Sequence, residues 1–209
     1  YYLHNFLGRQ KSDIELDFNK SSDFVRQIAN LAERPFSLSA PILDVSFGRY
    51  RFNAIHHSIG TFHEEKTITF SLRMMSKELK ISDETLGKEL AELFQFAILN
   101  KMSIVIAGVS GSGKTEFSKY LISKMPPNER LIIIDNINEL SSGLEKVSVD
   151  LNYWIVGQEG ILDLKGLIRN SLRSNPDWVI IAEARGKEML EILNVAMSAH
   201  PTITTIHAF

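Results

Sequence analysis

Cysteine is absent from this 209-residue sequence. Without thiols the chain has no disulfide and no thiolate metal site, which suits a reducing compartment. Long apolar runs are also absent, since no stretch approaches the roughly 20 residues that a membrane-spanning helix needs. No signal peptide is recognisable. Neither sign of charge is in excess, because 23 Lys and Arg against 25 Asp and Glu give a net charge of −2. This balance gives no general reason to expect nucleic-acid binding.

The composition is typical of a globular protein with an apolar core, with 44% hydrophobic and 23% charged residues. The length allows one or two domains. The first residue is Tyr1 rather than Met, so we expect the chain to be part of a longer protein.

Alternation of apolar and polar residues dominates positions 1–75 and predicts a small α+β domain with an antiparallel sheet. Gly48-Arg49 is typical of a two-residue hairpin turn between two of its strands. Arg51 and Arg73 project from the polar face of this sheet, where a solvated surface arginine is the ordinary interpretation. The expected strands are 14–18, 43–47, 50–54 and 67–73.

The rest of the chain predicts a second domain of a different class. Residues 76–82 are short and polar, which predicts a linker or hinge. From residue 83 to 209, apolar strands alternate with amphipathic helices, which indicates an α/β domain with a parallel sheet covered on both faces. The expected strands are 104–107, 131–134, 178–182 and 202–206, with a further strand near 147–151. The expected helices start after Ser82 and span 115–125, 163–174 and 186–198.

A glycine-rich loop joins the first of these strands to a helix. Residues 108–115 match the pattern G-x-x-x-x-G-K-[ST], the phosphate-binding loop of nucleoside triphosphatases. Its glycines let successive N–H groups turn toward phosphate oxygens. Lys114 supplies a point charge between the outer phosphates, and the Thr115 hydroxyl can bind Mg²⁺. The loop residues expected to face phosphate are Ser110, Gly111, Ser112 and Gly113.

Acidic residues follow two of the predicted strands. Glu183 ends the strand 178–182, the Walker B position, where a carboxylate holds a Mg²⁺-bound water or polarises the attacking water. The strand 131–134 runs into Asp135, and Glu139 follows. These two acids are candidates for the general base, although an acidic loop after a core strand would look the same.

Arginines and histidines complete the set of candidate residues. Arg169 and Arg173 are spaced to share one face of a helix, and Arg185 closely follows Glu183. The alternative interpretation is that each of these arginines, taken alone, forms an ion pair on the protein surface. His200 and His207 flank the last predicted strand without zinc-site spacing. A histidine at a strand end can contact a phosphate or hold a catalytic carboxylate, and a buried core histidine is the alternative.

Taken together, these blocks resemble the secretion (traffic) ATPases, which include the motors of type II and type IV secretion, Tad/Flp and type IV pili, and conjugation. The family is recognised by an ordered phosphate loop, Asp box, Walker B segment and His box. The matching segments are 108–115, 134–140, 176–188 and 199–208. Three more segments resemble parts of the family: residues 167–173, which precede the Walker B segment, the hairpin 47–54 and the strand 67–73.

This sequence departs from the family pattern at several positions. Asp135-Asn136 stands where the Asp box opens with Glu-Asp, so we favour Glu139 as the base. Glu116, Ala182 and Ala199 replace the usual Thr, Gly and Gly. The chain ends two residues after His207, so the C-terminal part of the domain is expected to be missing.

The resemblance implies a RecA-like P-loop domain that follows the small α+β domain. It implies a homo-hexameric, Mg²⁺-dependent ATPase that works with inner-membrane secretion or pilus proteins at the cytoplasmic face of the membrane. Glu183, Glu139, Arg185 and His207 are then the expected catalytic residues. ATP is expected to be bound by residues 110–115 of the phosphate loop and, in addition, by Arg51, Arg73, Arg169, Arg173 and His200. Thr115 and Glu183 are expected at the metal.

Three other functions compete with this one. A nucleotide-gated assembly subunit that binds ATP with little turnover is the alternative, because the Asp box is altered. Residues 140–143 superficially resemble an ABC-transporter signature but lack the glycine and glutamine that follow it, so that class is rejected. A small-molecule kinase is disfavoured, because the sequence has no lid-like insertion rich in arginine.

Overall fold

The computed structural model describes residues 2–5, 8–62, 65–156, 163–184, 186 and 188–208. The chain divides into two compact units at Met74/Met75. The first contains a three-stranded antiparallel sheet and the second a five-stranded parallel sheet. The predicted order of an α+β part followed by an α/β part is therefore confirmed.

The first unit packs one long helix against its antiparallel sheet. The helix buries Val25, Ile28 and Ala29 against Phe52 and Ala54 of the sheet. The sheet order is β3-β4-β7, and two short hairpins, β1-β2 and β5-β6, accompany it. The elements are β1 (Tyr2–Asn5), β2 (Gly8–Lys11), α1 (Phe18–Leu31), β3 (Ile42–Phe47), β4 (Tyr50–Ile55), β5 (Thr61–Phe62), β6 (Glu65–Lys66) and β7 (Thr69–Met74).

The hairpin predicted in this unit is confirmed, and the first predicted strand is wrong. Phe47 pairs with Tyr50 across the turn, and Gly48 adopts φ +53°, which glycine accommodates without strain. Residues 14–18 form no strand. Instead, the Asp17 carboxylate accepts a 2.8 Å hydrogen bond from the Lys20 amide and caps α1, so the helix begins at Phe18.

The second unit sandwiches its parallel sheet between two layers of helices. The sheet order is β10-β9-β11-β12-β8. Helices α3 and α4 pack on one face, and α5 and α6 on the other. The elements are α2 (Asp83–Leu86), α3 (Lys88–Leu99), β8 (Ile104–Gly108), α4 (Lys114–Ser123), β9 (Arg130–Asp135), β10 (Asp150–Ile155), α5 (Leu164–Ser171), a 3₁₀ turn (Leu172–Ser174), β11 (Trp178–Ala184), α6 (Met189–Met197) and β12 (Thr202–His207).

The helix predicted after Ser82 is interrupted. Ser82 and Thr85 form a capping box around α2, and Gly87, with φ +88°, separates α2 from α3. The segment predicted as a linker, 76–82, packs on the second unit. The Ser142 hydroxyl donates to the Ser76 carbonyl at 2.6 Å, and Ile81 contacts the core. A role as a hinge stays a prediction.

The parallel arrangement decides where the candidate residues gather. All five strands run the same way, so their carboxyl ends form one edge of the sheet and their amino ends the other. The loops that follow β8, β9 and β11, and the end of β12, therefore lie at the carboxyl edge. Ligands of open α/β sheets bind at this edge.

Candidate active site

The loop after β8 has the backbone shape that a phosphate cradle requires. Gly111 and Gly113 adopt φ +79° and +91°, a region that strains residues with a Cβ. At Gly108 a Cβ would lie 2.8 Å from the Ser112 hydroxyl, so a larger residue would force the Ser112 side chain to move. Residues 110–113 are exposed, and the loop opens toward the start of α4. Backbone N–H groups at a helix start favour bound anions.

Lys114 lies inside the curve of this loop. Its ammonium group donates to the carbonyls of Gly108 and Val109, both at 2.9 Å. The side chain is half-buried. The charge is therefore held beside the loop amides rather than extended into solvent, which is where it can meet a bound phosphate.

Glu139 reaches this site from the loop after β9. The Thr115 hydroxyl lies 3.5 Å from Glu139 Oε2, although 24 residues separate the two along the chain. A hydroxyl and a carboxylate at this distance present two oxygen ligands of the kind that Mg²⁺ prefers.

Asp135, the other candidate base, has a different environment. Its side chain is fully buried, and its carboxylate accepts hydrogen bonds from the amides of Ile137 (2.9 Å) and Leu140 (3.0 Å). Oδ2 also accepts a short hydrogen bond from the Tyr153 hydroxyl. These bonds point the carboxylate into the protein, so the geometry separates the two acids and favours Glu139.

Glu183 and His207 form a pair at the ends of neighbouring strands. His207 Nε2 lies 2.8 Å from Glu183 Oε1, and His207 stands in register with Gly108 of the phosphate loop. The pairing of β11 with β12 shifts register between Ile181 and Ala184. Such an irregularity changes the direction of a side chain at a sheet edge. The Thr205 hydroxyl donates to the Ala182 carbonyl at 2.7 Å and stabilises the irregular segment.

Other predicted site residues of this unit lie elsewhere. His200 precedes the amino end of the six-residue strand β12, about 20 Å from His207 at the usual strand rise. Its Nδ1 lies 3.1 Å from the Ser198 hydroxyl. Arg173 belongs to the 3₁₀ turn that precedes β11, again at the amino edge. Neither residue reaches the phosphate loop of the same chain, because the length of the sheet separates them.

Arg169 takes part in helix packing. Its guanidinium donates two hydrogen bonds to Glu191 of α6, at 2.9 and 3.0 Å, and Lys165 lies 3.1 Å from the same carboxylate. These bonds from Arg169, and then Lys165, lower the pKa of Glu191 to about 2. Arg169 and Arg173 do not share a helix face, since α5 ends at Ser171. Arg185 lies outside the described residues.

In the first unit, Arg51 and Arg73 face each other directly across β4 and β7. Arg51 also lies 3.5 Å from Asp44. Like charges at opposed positions destabilise a sheet, so the pair costs stability unless another group compensates for it.

Tyr153 is the residue that sequence reasoning missed. It lies on β10, where its hydroxyl joins Asp135 to the Ser141 amide at 3.1 Å. Burial, followed by the charge of Asp135, raises the pKa of this phenol above its usual value. A tyrosine in a half-buried strand is common, so no local pattern distinguishes it.

The site offers oxygen ligands that suit a magnesium ion shared with a nucleotide. Among the residues with described positions, no group of three or more His, Asp or Glu could hold a metal alone. Mg²⁺ commonly takes one or two carboxylates and completes its shell with substrate phosphates and water. Thr115, Glu139 and Glu183 supply oxygen atoms of this kind beside the phosphate loop.

Comparisons with known proteins converge on one family. The profile described as "Type II/IV secretion system protein" matches residues 52–209. The type IV secretion system protein VirB11 of Brucella suis is 35% identical over 146 residues, which cover 66% of this chain and 40% of that protein. An uncharacterized Bacillus anthracis protein is 28% identical over 188 residues, covering 88% and 41%. The chain thus spans about 40% of the length of these curated relatives.

Solved structures share the fold. The crystal structure of the Brucella suis VirB11 ATPase in complex with sulphate matches with a TM-score of 0.51 and 25% identity, covering 92% of this chain and 65% of that one. The Legionella pneumophila ATPase DotB matches with a TM-score of 0.67 and 20% identity, covering 94% and 56%. None of the helices in the described part of the chain combines the length and apolar character needed to cross a membrane.

Proposed function

Because the chain belongs to the type II/IV secretion system protein family, we propose that it carries the Mg²⁺-dependent ATPase site of a motor for secretion, pilus assembly or conjugative transfer. The observation that carries this proposal is the convergence at one sheet edge. The phosphate loop, Glu139 and the Glu183–His207 pair come from four separate strands and meet there. Its similarity to VirB11, an ATPase of the Brucella suis type IV secretion system, supports the same class.

The phosphate loop and Lys114 bind the triphosphate. The amides at the start of α4 face the phosphate oxygens, and the Lys114 ammonium exchanges its contacts with Gly108 and Val109 for contacts with the outer phosphates. Thr115 would hold a Mg²⁺ ion together with the nucleotide, and such an ion would supply positive charge to the transferred phosphate.

Glu139 and Glu183 have different roles in hydrolysis. Glu139, beside Thr115, orients the attacking water and accepts its proton. Glu183 would hold a water molecule bound to that ion, and His207 orients the Glu183 carboxylate through its 2.8 Å contact. Positioning and charge stabilisation dominate phosphoryl transfer, so the site needs little other chemistry.

Arg51 and Arg73 are proposed as additional charges for the transition state. They occupy directly paired positions on one face of the sheet, so they present two guanidinium groups side by side, an arrangement that suits an anion. A desolvated arginine near a transferring phosphate is one of the recurring parts of such sites. Arg173 and His200 lie at the far edge of the parallel sheet, so neither residue is proposed to contact the nucleotide.

The assembly is proposed to be a homo-hexamer that works with inner-membrane proteins at the cytoplasmic face of the membrane. The family and the VirB11 relatives support this assignment. An assembly subunit that binds ATP without turnover is the competing function, and the experiment below separates the two.

The test measures phosphate release and nucleotide binding by the intact protein with ATP and Mg²⁺. Glu183→Gln is expected to retain binding within a few fold and to lower kcat by about 10²-fold or more. Lys114→Ala is expected to abolish binding. Lys88 and Glu92 form an exposed ion pair on α3, so Lys88→Ala and Glu92→Gln are matched controls that leave both quantities unchanged. Background release by the wild type would favour the assembly subunit.

A further inference from the structure

A network of hydrogen bonds brackets Glu139 on both sides. The Asp135 carboxylate binds the amide of Ile137 before it and the amide of Leu140 after it. The Tyr153 hydroxyl accepts from the Ser141 amide at 3.1 Å and donates to the same carboxylate. Three backbone amides within five residues are thus tied to two side chains.

The network is anchored in rigid parts of the fold. Asp135 ends the interior strand β9 and is fully buried, and Tyr153 comes from the neighbouring strand β10. Leu140 is buried in the core between the sheet and α4. A buried carboxylate needs several donors to be tolerated, and here three donors surround it.

The orientation of Glu139 follows from these anchors. Asn138 adopts φ +56°, a left-handed conformation that asparagine accepts more readily than most residues and that turns the chain just before Glu139. With Ile137 and Leu140 fixed on either side, the turn directs Glu139 toward Thr115, where the 3.5 Å contact is made.

We propose that Asp135 and Tyr153 are positioning residues, which hold the 136–141 turn so that Glu139 faces the Thr115 end of the phosphate loop. They act through Glu139 and do not touch the nucleotide. This inference rests on the proposed function for its effect on turnover, but its effect on the turn is independent of it.

The test uses Tyr153→Phe in the intact protein, which removes one hydroxyl and keeps the ring. Tyr120→Phe is the matched control, because the Tyr120 hydroxyl also donates to a carboxylate, Asp83 at 2.8 Å, away from the site. Amide exchange over 136–141 is expected to accelerate about 10-fold or more in Tyr153→Phe and to stay within about twofold in Tyr120→Phe. Unchanged exchange in Tyr153→Phe would overturn the proposal.

Steady-state kinetics supply the second readout. Tyr153→Phe is expected to lower kcat about 10-fold with KM for ATP within about twofold. In a Glu139→Gln background the same change should have no further effect, because its action passes through Glu139. A loss that persists in that background, or a kcat equal to that of the wild type, would contradict the positioning role.

Asp135→Asn provides a second variant, since its amide NH₂ places a donor against an existing donor. It is expected to accelerate exchange in the same turn more than Tyr153→Phe does. If the wild type shows no ATP turnover, the proposed function fails, while the exchange measurements still decide whether these residues hold the turn.

Discussion

Charged side chains make different contacts at the two edges of the parallel sheet. At the amino edge, charges pair closely with one another: Arg130 Nε lies 2.6 Å from Asp150, and Lys101 lies 2.5 Å from Glu129. At the carboxyl edge, Lys114 binds carbonyls and Thr115 lies 3.5 Å from Glu139. The first pattern stabilises the fold, whereas the second leaves charge arranged around a loop that can bind an anion.

The two histidines of the His box show what this difference teaches. His200 and His207 belong to one sequence motif, yet β12 places them at opposite edges. His207 pairs with Glu183, and His200 contacts Ser198. Two residues of one sequence motif therefore need not belong to one site, because an extended strand places its two ends far apart.

The largest difference between the edges should appear in the histidines. His207→Ala removes the partner of Glu183 and is expected to lower kcat by about 10-fold or more, because the carboxylate loses its orientation. His200→Ala is expected to stay within about twofold. Phosphate release by the intact protein measures both. Equal losses would show that the comparison of the two edges is wrong.

Glu129 tests the structural character of the amino edge. It accepts from the Trp178 indole N–H at 2.5 Å and pairs with Lys101, and Trp178 is fully buried. Glu129→Ala should lower the free energy of unfolding by about 1–3 kcal/mol, because a buried donor loses its partner. Chemical denaturation measures this loss.

The kinetic control for Glu129→Ala is kcat, which is expected to be unchanged. Glu92→Ala, which breaks an exposed pair, should cost less than about 1 kcal/mol. A lower kcat in folded Glu129→Ala would mean that the amino edge contributes to turnover.

The smallest effect concerns Arg169, which sequence reasoning assigned to the nucleotide. The pKa of Glu191 is lowered to about 2 by Arg169 and Lys165, so this carboxylate stabilises the fold above its unfolded pKa near 4.5. That contribution is lost as pH falls from about 4.5 toward 2. Thermal unfolding across this range should show a weaker pH dependence in Glu191→Gln than in the wild type. Identical slopes would contradict the pairing.

Much of the fold was predictable because it rests on local periodicity. The hairpin around Gly48 and the alternation of apolar strands with amphipathic helices both follow from side-chain burial at periods of about 2 and 3.6 residues. The strand expected at 14–18 failed because Asp17 caps a helix, and a capping bond competes with alternation over so short a segment.

Only the part of the candidate site that lies within one short motif could be predicted from the sequence. The phosphate loop needs its glycines and Lys114 at fixed spacing, so the sequence identifies it without the fold. Glu139 and Asp135 could not be separated by spacing, since their roles depend on which carboxylate is buried. Tyr153 could not be found at all, because β10 reaches Asp135 through strand pairing and not through sequence proximity.

The sequence by itself thus determined the family, the order of an antiparallel and a parallel part, and the phosphate loop, because these depend on short-range patterns. Tertiary structure alone decided which acids and histidines share an edge with that loop. The physical reason is that parallel strands separate the two ends of a motif by their full length. The same strands bring together residues that are distant along the chain.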